Sequence, residues 1–126
     1  MNKEIKLSQS AYKDLIVWQH SMDFANAVID LTEKLTSRRK HFRLVEQLES
    51  AATSVPMNIA EGKGRHSDRE FIRFLYIARG SLYETMTLLA LFELRGWITN
   101  EDFQTFELQS NQIVKMLHGL IASLHS

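Results

Sequence analysis

The chain has 126 residues, enough for one domain that buries about two thirds of the surface its unfolded form exposes. One proline, five glycines and 44% hydrophobic residues argue against a loop-rich sheet protein or a disordered chain, and the absence of cysteine excludes disulfides and thiolate chemistry. Net charge is zero, yet residues 34–79 hold ten basic and five acidic side chains while the flanking thirds are acidic, so a basic face can exist on a neutral protein.

Residues 1–10 are polar and lack the apolar core of a signal peptide, and no uncharged run of about 18 residues is present to cross a bilayer. A cytoplasmic protein is expected. Apolar residues then recur at helical spacing in four segments, and none alternates as a strand would. The first helix is predicted over 14–36. Leu15, Trp18, Met22, Ala25 and Ile29 form one stripe on it, and Val17, Phe24, Val28, Leu31 and Leu35 a second, together a wide buried face.

A short basic connection, Ser37-Arg38-Arg39-Lys40-His41, forces the next helix to run antiparallel. That helix is predicted over 43–61, with Leu44, Leu48, Ala51, Val55 and Ile59 inward. The third, over 67–95, opens with Ser67 and Glu70 at capping-box spacing. It is apolar almost all round, from Phe71 to Phe92, more than one bundle core can cover, which predicts burial against another copy. Gly96 terminates it, and the fourth helix follows over 100–124 behind Thr99 or Asn100 as cap. The expected fold is all-α, an antiparallel up-down-up-down four-helix bundle.

Pro56 removes one helical hydrogen bond, so a kinked second helix is expected, with Gly62 and Gly64 at positive φ in the turn that follows. Gly80 lies inside the third helix, where glycine costs about 1 kcal/mol relative to alanine. The expectation is a close approach of the second helix at Gly80, with Arg79 or Ser81 bonding to Asn58 and Glu61. Pro56, Asn58, Glu61, Gly62, Gly64, Arg79, Gly80 and Ser81 then form one structural junction.

Gly62-Lys63-Gly64-Arg65 lacks the spacing of a phosphate-binding loop. No Glu-x-x-His pair and no serine nucleophile motif occurs, so neither a metal, nor a cofactor, nor catalysis is expected. Arg65, Arg69 and Arg73 recur every four residues and would share a helix face.

The run Ser54-Val55-Pro56-x-Asn58-Ile59-Ala60-Glu61-Gly62-x-Gly64-Arg65, followed by Glu70-Phe71, Arg73-Phe74-Leu75 and Ile77-Ala78-Arg79-Gly80-Ser81-Leu82, closely resembles the four-helix-bundle proteins of 23S ribosomal RNA intervening sequences. The resemblance extends from Tyr12-Lys13-Asp14-Leu15 and Trp18 to Met116-Leu117-x-Gly119-Leu120-Ile121, with Glu49-Ser50 standing where the family often has basic residues. It implies a bundle that assembles as a homopentameric ring. The family is also similar to accessory variability proteins of diversity-generating retroelements, which bind a reverse transcriptase and nucleic acid through a basic surface. The resemblance thus implies a non-catalytic scaffold that meets RNA or DNA through Arg38, Arg39, Lys40, Arg43, Lys63, Arg65, Arg69 and Arg73. The competing expectation is a structural or protein-binding oligomer whose basic residues only solvate its surface.

Overall fold

A computed structural model describes residues 11–35 and 39–125. A 3-10 turn at Ala11–Asp14 precedes α1 (Ile16–Glu33), α2 (Phe42–Lys63), α3 (Asp68–Leu94) and α4 (Asn100–His125). Each helix packs on its neighbours in chain order, and α4 closes back on α1, while the backbones of α1 and α3, and of α2 and α4, stand farther apart on the diagonals. That square of antiparallel helices is the up-down-up-down bundle.

The first helix starts two residues late because Leu15 is extended at ψ 121°, and its amide closes the preceding turn on the Tyr12 carbonyl at 3.2 Å. It stops at Glu33 because the amides of Lys34 and Leu35 turn back three residues, to the carbonyls of Leu31 and Thr32. The third helix starts where its cap dictates: the Ser67 hydroxyl accepts from the Glu70 amide at 3.2 Å. In α4 the box is reciprocal, the Asp102 amide donating to Thr99 Oγ1 and the Thr99 amide to the Asp102 carboxylate.

Gly96, at φ +75°, ends α3 in a Schellman motif. The Trp97 amide reaches the Phe92 carbonyl and the Gly96 amide reaches that of Glu93, each at 2.9 Å. The Phe92 and Trp97 rings meet at 5.0 Å, supplying the hydrophobic contact that accompanies this cap.

Of the two apolar stripes on α1, the core takes one. Val17, Phe24 and Val28 are buried, and the Phe24 ring meets Phe106 of α4 edge to face at 5.9 Å. The other stripe is only half covered: Trp18 and Ile29 are partly exposed and Met22 is 44% exposed. The two polar residues on the core stripe are satisfied within the helix, Ser21 donating to the Val17 carbonyl and Thr32 to that of Ile29. Thr32 Oγ1 also meets the Glu49 carboxylate across to α2.

The second helix continues through Pro56 to Lys63, as its apolar spacing implied. The junction differs from the sequence expectation in two ways. Gly64 has φ −79°, and Gly96 is the one glycine at positive φ among the described residues, so neither Gly62 nor Gly64 supplies a left-handed turn. The close approach of α2 and α3 lies at Gly62. A Cβ there would stand 2.6 Å from Phe74 Cβ and 2.9 Å from Phe71 Cδ1, whereas a Cβ at Gly80 would meet nothing within 4 Å. The second and third helices therefore lock where α2 ends, and Gly80 faces outward.

Stitching across this seam is real but uses other partners. Asn58 Nδ2 donates to the Ser54 carbonyl and hydroxyl, both at 2.8 Å, and the Ser54 and Ser81 hydroxyls share a bond of 2.9 Å. Ser81 thus reaches Asn58 through Ser54. Glu61 instead accepts from Arg65 at 2.6 Å. Arg79 turns the other way, to His118 of α4 at 2.9 Å, and its guanidinium lies over the rings of Tyr76 and Tyr83.

Candidate nucleic-acid interface

Of the eight basic residues expected to form a face, the seven among the described residues fall into two groups at opposite ends of the bundle. Arg43 stands in the first turn of α2 and Lys63 in its last, roughly 30 Å apart along the helix axis at 1.5 Å per residue. A basic run in sequence becomes two clusters in space.

At the junction end, Lys63, Arg65, Arg69 and Arg73 are all exposed. Two of them are already engaged, Arg65 with Glu61 at 2.6 Å and Arg73 with Glu70 at 3.0 Å. Both of these guanidiniums also lie 4.8 Å from the Phe74 ring centroid. Asp68 and Glu70 occupy the first turn of α3 and answer its positive dipole end. This cluster is largely compensated by its own protomer.

The opposite end is different. Arg38 lies outside the described residues, while Arg39, Lys40 and Arg43 are exposed, and among the described residues no ion pair holds any of them. They surround the start of α2, which has no acidic residue in its first turn and no side-chain cap bond from His41. Among the described residues no side chain caps these amides and no acidic residue of the first turn answers the positive dipole end of this helix.

The up-down topology brings the connection between α3 and α4 to the same end. His41 stacks on Trp97 at 4.3 Å with 25° between the rings, and Arg95, from the same connection as Trp97, lies 5.9 Å over that ring. Arg95 and the His41–Trp97 stack escaped the sequence reading. Their signal was Gly96: a helix ending there returns the chain to the level of the first connection, and Arg95 arrives with it.

Chemistry other than charge is sparse. Among the described residues no three His, Cys, Asp or Glu side chains gather as a metal-binding group, and no helix is long and apolar enough to cross a membrane. An apolar concavity of about 370 Å³ between α1 and α2 is lined by Trp18, Met22, Ile29, Pro56 and Met57.

An all-helical antiparallel bundle with exposed arginines at both ends is the class of protein that this fold and surface define. Residues 13–119 match the 23S rRNA-intervening sequence protein family, and the chain belongs to it. It is similar to a solved protein of Bacteroides thetaiotaomicron described as of unknown function and from the S23 ribosomal protein family. That likeness has 30% identity and a TM-score of 0.78, covering 84% of this chain and 98% of the other. No curated protein matches the chain.

Proposed function

We propose that this protein is a non-catalytic, cytoplasmic homo-oligomeric scaffold, a pentameric ring in its final form, that holds RNA or DNA by the phosphates. The observation that carries the proposal is the start of α2, where Arg39, Lys40 and Arg43 are exposed beside helix amides that no side chain among the described residues caps. Phosphate binding needs that combination of mobile cations and fixed donors. The junction arginines are secondary contacts, since a phosphate there must compete with Glu61 and Glu70.

Self-association is supported by the outer surface of α3. Tyr76, Ile77, Tyr83, Leu91 and Leu94 are each at least 38% exposed, a larger apolar face on one helix than a monomer needs. Repetition of the α2 terminus around a ring multiplies a modest patch into a multivalent one. The resemblance to retroelement accessory proteins makes a reverse transcriptase the protein partner of choice.

The test is binding to labelled RNA and DNA duplexes over a salt series, beside a pull-down from the native host probed for a reverse transcriptase. Binding that weakens steeply with salt supports the phosphate role. One observation favours a second reading, a structural oligomer without nucleic acid: Arg65 and Arg73 at the junction end are paired within the protomer. Intact oligomers that bind neither RNA nor DNA at low salt would establish it.

A further inference from the structure

We propose that copies of this chain join head to tail, the outward ridge of α3 in one copy seating in the groove between α1 and α2 of the next. This rests on the homo-oligomer reading and specifies which surfaces meet.

The ridge is a heptad seam turned away from the core. Tyr76, Gly80, Tyr83, Thr87, Ala90 and Leu94 follow one another at intervals of four and three residues, and every one is exposed. None is charged. Gly80 sits in the middle of a 27-residue helix where alanine would be about 1 kcal/mol better, and nothing in its own protomer uses the space it leaves. A glycine between two exposed tyrosines is an opening for another backbone, with a knob on either side.

The groove is its counterpart in shape. Trp18, Met22 and Ile29 form one wall, Pro56, Met57 and Ala60 the other, around about 370 Å³. Its two methionines are 44% and 67% exposed, and their flexible side chains adapt to an incoming ring. Trp18 to Ile29 spans eleven residues, as does Tyr76 to Thr87, so each surface runs for roughly 17 Å.

Charge favours this match over a pairing of two ridges. Asp23, Asp30 and Glu33 of α1 are exposed, and no Lys or Arg lies between Asp14 and Glu33. Arg69, Arg73 and Arg79 flank the first half of the ridge. Ridge against groove brings these basic residues toward the acidic outer face of α1 and fills the groove, whereas two paired ridges would leave both grooves open. The third helix stands diagonally across the bundle from α1, so ridge and groove face different directions on one copy. A contact between unlike surfaces is heterologous, and repeating it closes a ring or runs on as a filament.

The experiment uses two doubly substituted chains, Tyr76→Asp with Tyr83→Asp on the ridge and Met22→Asp with Met57→Asp in the groove. All four positions are exposed, and wild-type helical circular dichroism shows that each variant folds. Light scattering is expected to find each variant alone at the 14.6 kDa protomer mass, and an equal mixture at twice that mass, because one intact ridge then meets one intact groove. A groove variant that keeps the wild-type assembly, or a mixture that stays monomeric, overturns the proposal while leaving self-association standing. A wild-type chain that is itself monomeric overturns both.

Discussion

Gly62 and Phe74 fix the distance between α2 and α3: a Cβ on the glycine would lie 2.6 Å from the Cβ of the phenylalanine. Neither atom sits at the end of a flexible side chain. Any residue larger than glycine must therefore push the helix backbones apart, at the seam where the most extensive helix pair of the bundle meets. Gly62→Ala is expected to destabilise the fold by about 2 kcal/mol, as overpacked cores do. In thermal unfolding this reads as a loss of roughly 5–10 °C; an unchanged midpoint would refute the close contact.

Gly119 gives the opposite expectation. It lies inside α4, exposed, with nothing within 4 Å of the position a Cβ would take. Gly119→Ala should stabilise by about 0.5–1 kcal/mol through helix propensity and a less disordered unfolded chain. The urea midpoint should rise with an unaltered slope.

Thr32 is fully buried and donates to the Ile29 carbonyl while meeting the partly buried Glu49 carboxylate. Thr32→Val keeps the shape and removes the hydroxyl, so a cost of about 1–3 kcal/mol is expected from the carboxylate left behind. Adding Glu49→Leu should recover most of it. A double-mutant cycle with no coupling would show that this bond contributes nothing.

Gln109 Oε1 is buried and has no hydrogen-bond partner among the described residues. Replacing it by an apolar side chain of similar length, Gln109→Met, should raise stability by about 1 kcal/mol, since the desolvated acceptor is removed. A lower unfolding midpoint for this variant would contradict the assignment.

The features legible in the sequence were those settled within a few residues. Ser67 and Thr99 announced helix starts because a cap bonds its own first turn, and Gly96 announced an end because its positive φ is a local requirement. Helical spacing located all four helices to within three residues. The roles of Gly62 and Gly80 could not be read this way: both interrupt a helical pattern equally, and only the helix standing opposite decides which of them is a contact. Likewise the two stripes of α1 look alike in sequence, and the placement of α4 buries one while the other lines an open groove. Charge suffered most from linear reading, since Arg43 and Lys63 belong to one basic segment yet to opposite ends of one helix.

The central claim is that the α2 terminus holds nucleic-acid phosphates, and fluorescence anisotropy of a labelled RNA or DNA duplex tests it most directly. Wild-type protein and the Arg39→Glu, Arg43→Glu double variant would be compared at 50 and 200 mM salt. Three duplex phosphates neutralised predict a loss of affinity of about forty-fold across that range for the wild type, and a variant that binds weakly at both concentrations. Binding that ignores salt, or a variant that binds as tightly as the wild type, would contradict the account.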